Sequence, residues 1–376
     1  MHRLYEEACQ GLRFCPRPLP PGLRGAEPSI LARVDPLLAA SITGGRQPLY
    51  NESLWLLQEL LERLRERECF YCRQPALHVA GMWSVSVDSE CAGNAVLEDL
   101  VPLCGTCLLA YRLDEAFSRG FLREAVRRLV AVNRVPEDVA LAVADRVLGE
   151  WKETLRVRQW SVKMHGLLDH GMDRDHVGAL EELARRLVNL PYLVEDEWLL
   201  VLGGDAEAQR ARAAEALEAL CEGRLEAAAL AAKAAELGLS TEPKRIEMYV
   251  ESLIARDVCR KPLYKALEML EGAWLLMVPR SLRARLVAAL AEEAEKSPWL
   301  LRLETPLEQR EPAPVAIYTA SVFDVASIAE AARRLHELLP GQPLAMAYKP
   351  GLPGHRLASH LLYSYQSGRL LYQVPY

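Results

Sequence analysis

Two cysteine pairs dominate the sequence: Cys69-Phe-Tyr-Cys72 and Cys104-Gly-Thr-Cys107. The two residues inside each pair allow a tight turn that brings both thiolates to one side of a metal ion. Four thiolates complete a tetrahedral zinc site with bonds of about 2.3 Å, and such a site has no open position for water. The spacing therefore predicts a structural zinc ion held by Cys69, Cys72, Cys104 and Cys107. His78 and Cys91 lie between the pairs, and either could replace one thiolate.

The residues next to the cysteine pairs have clear patterns. Leucines at 54, 57, 61 and 64 recur at helical spacing, so residues 51–66 are predicted to form a helix that Asn51 could cap. Trp83, Val85 and Val87 alternate with polar residues, as in a strand. We therefore expect the zinc ion to lie in a small module of residues 67–112, with residues 1–66 forming an N-terminal segment and helix.

The rest of the chain divides by pattern into two further regions. Residues 113–296 have mostly helical periodicity, with an Ala-rich stretch at 206–235. Residues 297–376 are predicted to form a small α/β domain: a strand at 315–318, a helix at 325–339, and strands at 344–348, 361–365 and 370–374. The predicted fold is mainly α, with a small zinc-binding module and a C-terminal α/β (α+β) domain.

Composition narrows the class of protein. The 376 residues carry a formal net charge of −6, which argues against a protein that coats nucleic acid on its own. No apolar run approaches the roughly 20 residues of a membrane span, and the N-terminus does not resemble a secretory signal. Five cysteines outside the pairs, an odd number, are expected to be mostly buried free thiols. We expect a cytoplasmic protein that does not bind membranes, and the low content of Asn and Gln indicates a thermophile.

Basic residues cluster in two places that could bind nucleic acid. Four arginines follow the second cysteine pair: Arg119, Arg123, Arg127 and Arg128. Lys349 and Arg356 flank a Gly- and Pro-rich stretch in the tail, where backbone amides could approach a phosphate. The alternatives are a solvated helix face for the first group and an ordinary hairpin loop for the second.

A His- and Asp-rich segment suggests a different chemistry. Residues 165–176 read HGLLDHGMDRDH, and both residue types bind divalent metals. This set could serve a metal-dependent phosphohydrolase or nuclease, with His165, Asp169, His170, Asp173 and His176 as its ligands. The alternative is a solvated turn between two helices, because the segment contains glycines that disfavour one continuous helix.

The cysteine-rich segment resembles the HNH nuclease family over about 45 residues. That family places an Asp-His pair between two such knuckles, an Asn before the second pair and often a His after it. Here Ser89 occupies the position of the general-base His, Asp99 that of the Asn, and Leu108 that of the last His. Serine cannot accept a proton from water near neutral pH. The resemblance therefore implies a degenerate module that keeps the zinc scaffold without the chemistry.

The N-terminal third is similar to the large subunits of archaeal type I-A CRISPR surveillance complexes. The similarity rests on the sequences LYEEACQGL at 4–12, EPSILA at 27–32 and YNESL at 50–54, followed by the two CxxC pairs. It implies a subunit of an antiviral ribonucleoprotein complex that contacts RNA, duplex DNA and other subunits, and leaves cleavage to a separate nuclease. Our hypothesis is a non-catalytic, zinc-containing nucleic-acid-binding subunit, with the metal-dependent enzyme and a protein-interaction scaffold as alternatives.

Overall fold

The computed structural model describes residues 2–5, 7–88, 91–189, 191–195, 197–340, 344–347 and 361–365. The chain splits into two compact units, residues 1–197 and 198–376. Both mix helices and strands, and helix predominates, which confirms the predicted fold class. The boundaries predicted at residues 66, 112 and 296 fall inside these units. None of the helices in the described ranges combines the length and the apolar character needed to cross a bilayer.

The first unit contains a mixed sheet surrounded by helices. The strands of this unit are β1 (His2–Arg3), β2 (His78–Val87), β3 (Ala92–Leu103), β4 (Gln159–Lys163) and β5 (Tyr192–Glu195), of which β1 to β4 form the mixed sheet. Its helices are α1 (Pro28–Leu31), α2 (Pro36–Thr43), α3 (Gln47–Arg65), α4 (Gly105–Tyr111), α5 (Leu113–Ser118), α6 (Leu122–Asn133), α7 (Glu137–Glu153), α8 (Gly166–Asp169) and α9 (Arg174–Leu187). Two short 3-10 helices are formed by Pro21–Ala26 and Thr154–Arg156.

A long hairpin is the main element of this sheet. β2 and β3 pair antiparallel from His78–Leu103 to Val87–Gly93, β1 adds to the free edge of β2, and β4 pairs parallel with β3. Trp83 and Val85 of β2 are buried, as their alternation with polar residues predicts. Because β3 continues directly into the second cysteine pair and α4, the hairpin fixes the position of that pair.

Helix α3 begins earlier than the sequence predicted. It starts at Gln47, so Asn51 lies inside the helix and is not its cap. The reason is Pro48, whose fixed φ and missing N–H suit the first turn of a helix. The leucine stripe is buried as expected, and the helix ends at Arg65, shortly before Cys69.

The second unit is built on another sheet. Its strands are β6 (Trp198–Leu202), β7 (Leu239–Ser240), β8 (Gly272–Val278), β9 (Arg302–Pro306), β10 (Ala313–Thr319), β11 (Leu344–Ala347) and β12 (Leu361–Tyr365). Its helices are α10 (Ala206–Cys221), α11 (Ala227–Glu236), α12 (Pro243–Ala255), α13 (Leu263–Leu270), α14 (Arg280–Glu293) and α15 (Val325–Leu338), with 3-10 helices at Val258–Arg260 and Ala294–Lys296. Within this unit the strand order is β6-β9-β10-β8-β11-β12-β7.

The strands and the helix predicted at 315–365 are present in the second unit as β10, α15, β11 and β12. The strand predicted at 370–374 lies outside the described residues. Five strands occur where only helix was expected, namely β4, β5, β6, β7 and β8. They come from short apolar or alternating runs such as GAWLLMV at 272–278, and periodicity alone cannot separate such runs from a buried helix segment.

The expectation that the scattered cysteines are mostly free thiols is wrong. Cys9 is bonded to Cys15 and Cys221 to Cys259, with Cα–Cα distances of 5.4 and 5.7 Å. Only Cys91 of this group is free, and it is exposed. The second pair joins residues 38 apart in sequence. That proximity is created by tertiary packing, which spacing alone does not reveal.

A buried ionic network ties the N-terminal segment of the first unit to the hairpin. The carboxylate of Glu27 accepts hydrogen bonds from Gly81 N (2.8 Å), Trp83 Nε1 (3.0 Å) and Arg112 Nη2 (2.7 Å). Arg112 also donates through Nη1 to the carbonyl oxygen of Arg17 at 3.2 Å. Every oxygen of the buried carboxylate has a partner, as a charge out of water requires.

Asp114, next to this network, should make stability depend on pH. Its side chain is buried and accepts a hydrogen bond from Leu19 N at 3.2 Å. Burial raises the pKa of Asp114 to about 6, although Arg112 opposes the shift. The folded pKa exceeds the unfolded one, so this contribution to stability is full below about pH 4 and is lost as pH rises through about 6.

We therefore expect Asp114→Asn to remove this pH dependence and to unfold less easily than the parent at pH 7.5. The gain in free energy of unfolding should reach at most about 3 kcal/mol, since Asn can keep the acceptor without the buried charge. Urea unfolding at pH 4.5 and 7.5 measures it, with the exposed Asp145→Asn as control. Identical pH profiles for Asp114→Asn and the parent would contradict the assignment.

Candidate metal centre

The four paired cysteines meet at one point in the first unit. Their sulfur atoms all lie within 4.8 Å of one another, and Cys72 Sγ is 3.5 Å from Cys104 Sγ. A tetrahedral ion with bonds of about 2.3 Å places its sulfur ligands about 3.8 Å apart. The cluster could therefore hold a metal ion, and its all-thiolate donor set matches that of structural zinc sites.

Backbone hydrogen bonds hold the first cysteine pair against the end of the hairpin. Cys69 N donates to the carbonyl oxygen of Gln74 at 2.6 Å, and Arg73 N donates back to that of Cys69 at 3.0 Å. Phe70 N and Leu77 N then donate to the carbonyl oxygens of Pro102 and Leu103. These bonds close the knuckle and fix its distance from the second pair.

The second cysteine pair lies at the start of α4. Cys104 is the N-cap residue of that helix, and Cys107 is in its first turn. Both side chains are buried, as is Cys69, while Cys72 is partly exposed. The cluster is thus largely screened from water, which suits a structural site better than one that must admit a substrate.

Arg128 is the basic residue that contacts the cluster. It lies on α6 and donates through Nε to Cys107 Sγ at 3.2 Å, while its Nη2 is 4.0 Å from Cys104 Sγ. A positive charge beside a tetrathiolate site offsets part of its excess negative charge. The sequence suggested that Arg128 binds nucleic acid, but the structure directs its side chain to the sulfurs.

The thiols differ in how easily they lose a proton. Burial raises the pKa of Cys107 and of Cys72, which leaves both protonated near neutral pH in the absence of a cation. Burial also opposes ionisation of Cys104, but hydrogen bonds with Thr106 and the backbone of Cys107 lower its pKa to about 6. A bound metal must displace the remaining protons, so metal affinity should rise with pH.

The His- and Asp-rich segment does not form a second cluster. His170 Nε2 is 2.8 Å from Asp99 Oδ1, whereas His176 is buried with its Nδ1 2.9 Å from Ser53 Oγ. His165 is exposed. Asp173 caps α9 by accepting a hydrogen bond from His176 N.

Among the described residues, the cysteine cluster is the one group with three or more ligand atoms close enough for a metal ion. The segment forms a turn and a helix start, which was the alternative interpretation.

The remaining candidates are the two alternative metal ligands, the positions matched to the HNH family and the basic residues of the tail. Cys91 and His78 are exposed, and neither belongs to the cluster. Asp99, at the position of the HNH asparagine, pairs with His170, while Leu108 is half-buried on α4. Ser89, Lys349 and Arg356 lie outside the described residues.

The three remaining arginines are exposed next to the metal centre. Arg119 lies between α5 and α6, and Arg123 and Arg127 are one turn apart on α6. Only Arg119 has an ion-pair partner in the described part of the chain, Glu115 at 3.8 Å. Phe117 and Phe121, in the same segment, are 50% and 49% exposed, so two aromatic rings accompany the exposed arginines. We call these five residues the Arg/Phe surface; the sequence contained its phenylalanines, but only the structure shows that they are exposed.

A scan against protein-family models finds no family that matches this chain. No curated protein matches it either.

We expect the cluster to bind about one metal ion per chain. Cys107→Ser should abolish that binding and lower the melting temperature, because it removes a buried ligand and leaves three unpaired thiols. Elemental analysis of the purified protein and a thermal melt measure both effects. Cys91→Ser is the matched control, since Cys91 is exposed and outside the cluster. Equal metal content in the two variants would refute the assignment.

Arg128→Gln tests the role of the guanidinium. Loss of the charged hydrogen bond to Cys107 should weaken metal affinity by about 10- to 100-fold, as for other groups that hydrogen-bond to metal ligands. Competition with a chromogenic chelator measures this affinity. Arg127→Gln, one residue away but exposed, should leave it unchanged. If both variants reduced the affinity equally, general charge and not the hydrogen bond would be the cause.

Proposed function

We propose that this protein is a non-catalytic nucleic-acid-binding protein in which a structural zinc ion holds the binding surface in place. One observation carries the proposal: α6 contacts the cysteine cluster through Arg128 and bears Arg123 and Arg127 on its exposed side. Exposed cations with adjacent exposed aromatic rings are the combination that binds single-stranded nucleic acid. The metal centre and the binding surface thus share one helix.

The chemistry of the metal centre supports a structural role. Four cysteines occupy all positions of a tetrahedral ion, so none remains to activate water. His170 and His176 are hydrogen-bonded in separate places and do not converge on a common ligand. The metal-dependent enzyme is therefore not favoured by any observation on the described residues.

The charge distribution supports binding within a larger assembly. The chain as a whole carries −6, yet Arg123 and Arg127 have no ion-pair partner among the described residues. Arg119 has one, Glu115, with 3.8 Å between Nη2 and Oε2. A local cationic surface on an acidic protein binds phosphates weakly by itself and benefits from other subunits. This agrees with the resemblance to CRISPR large subunits, and we propose a ribonucleoprotein complex of that kind as the context.

The Arg/Phe surface can be tested with one variant and one control. Arg119→Gln/Arg123→Gln/Arg127→Gln should weaken binding to a fluorescent single-stranded oligonucleotide by about 10-fold or more at low salt. The slope of log affinity against log salt should flatten by about 0.7 for each phosphate that the variant no longer neutralises. Phe117→Ala/Phe121→Ala should weaken binding with little change in that slope, because stacking releases few counterions.

The control removes the same number of charges from the second unit. Arg210→Gln/Lys244→Gln/Arg285→Gln replaces three exposed cations and should leave binding unchanged. Equal weakening in both triple variants would show that only net charge matters. If the parent protein binds no nucleic acid at low salt, the proposal fails and the protein-interaction scaffold is favoured. Cleavage of the oligonucleotide by the purified chain would also overturn it.

A further inference from the structure

A cleft in the first unit gathers arginines from separate elements. Its volume is about 440 Å³. Arg24 comes from the 3-10 helix at 21–26, Arg65 from the end of α3, Arg112 from the junction of α4 and α5, and Arg119 from the segment after α5. The volume falls within the range of roughly 300–1,000 Å³ that is usual for small-molecule sites.

The charges in the cleft do not cancel. Two carboxylates line it, Glu27 and Glu115. Glu27 is already engaged, because its oxygens accept bonds from Arg112 and from two groups of β2. The Oε2 atom of Glu115 lies 3.8 Å from Nη2 of Arg119, so this carboxylate pairs with Arg119. Arg24 and Arg65 thus remain as two positive charges with no ion-pair partner in the described part of the chain.

Two guanidinium groups without ion-pair partners line one concavity, and their positive charges attract an anion into it. The planar fork of arginine matches the oxygens of a phosphate group in a bidentate way. The other walls are of two kinds. Ile30, Val79 and Leu108 offer apolar surface, and His78, Ser29 and Ser118 offer hydrogen-bonding groups. A phosphate joined to a flat, partly apolar group would contact all of them.

We propose that this cleft binds the phosphate monoester of a nucleotide, with the phosphate between Arg24 and Arg65 and the base against the apolar wall. The ligand goes beyond the proposed function, because a free mononucleotide is not a strand of nucleic acid, and Arg119 is the one residue that the cleft shares with the Arg/Phe surface. The 5′-terminal phosphate of an oligonucleotide would present the same chemistry from a different source.

Isothermal titration calorimetry with AMP, adenosine and inorganic phosphate tests the proposal on the full chain. AMP should bind, adenosine should bind at least about 10-fold more weakly, and phosphate alone should be weaker than AMP. Equal affinity for AMP and adenosine overturns the phosphate contact. If AMP and inorganic phosphate bind with equal affinity, the base makes no contact, and the assignment of a nucleotide as the ligand is overturned. If AMP does not bind at all, both the phosphate contact and the assignment of a nucleotide as the ligand are overturned.

A pair of hexanucleotides, with and without a 5′-phosphate, separates the two sources. Both are measured on Arg123→Gln/Arg127→Gln, which weakens strand binding by the Arg/Phe surface. In this variant, tighter binding of the phosphorylated hexamer than of AMP would identify a strand end as the source. Tighter binding of AMP would identify the free nucleotide. In both cases, weaker binding of the 5′-hydroxyl hexamer than of its phosphorylated form supports binding of a phosphate monoester. Equal binding of the two hexamers, together with equal binding of AMP and adenosine, refutes it.

Variants locate the phosphate. Arg24→Gln and Arg65→Gln should each weaken AMP binding by about 10-fold, the usual effect of removing one charge-assisted hydrogen bond. Arg63→Gln is the matched control, since Arg63 is exposed on the same helix and does not line the cleft. AMP affinity unchanged in both cleft variants overturns the assignment. Arg123→Gln/Arg127→Gln should retain AMP binding, so failure here and failure of the proposed function are distinguishable.

Discussion

The first unit depends on four sulfur atoms that the backbone brings to one point. The end of α3, the knuckle at 69–72, the base of the β2–β3 hairpin and the start of α4 all lie within a few residues of a cysteine of this cluster. Uncompensated thiolates at these distances would repel one another strongly. A bound cation would reverse the sign of that interaction and would thereby link metal binding to local folding in this part of the chain.

A second constraint joins the N-terminal segment to the same hairpin. Glu27 and Arg112 are both buried, and further hydrogen bonds offset the cost of burying their charges: Glu27 accepts from Gly81 N and Trp83 Nε1, and Arg112 donates to Arg17 O. The network has a consequence for the neighbouring cleft. Glu27 is engaged within the network and so does not neutralise Arg24 or Arg65, and the network and the candidate ligand site share Glu27 and Arg112.

The sequence predicted the cysteine cluster, the main helix before it and most of the C-terminal strands and helix, because these depend on local spacing. It did not predict β6 or β8, whose short apolar runs read equally well as helix until a partner strand is known. It predicted Asn51 as the cap of α3, although the helix starts at Gln47 and Pro48 lies in its first turn. The disulfide between Cys221 and Cys259 depends on packing between distant segments. Likewise, the Arg127-Arg128 pair does not reveal which of its two side chains points to the sulfurs.

Helix α6 has two functional sides, and this has a consequence for regulation. Arg128 attaches the helix to the cysteine cluster, while Arg123 and Arg127 are exposed to solvent on another face. Oxidation of the thiolates or removal of the ion would free Arg128 and with it the anchor of the helix. In the proposed function, this would weaken phosphate binding without any change at Arg123 or Arg127, so the supply of metal and the redox state around the protein would set how much of it is competent to bind.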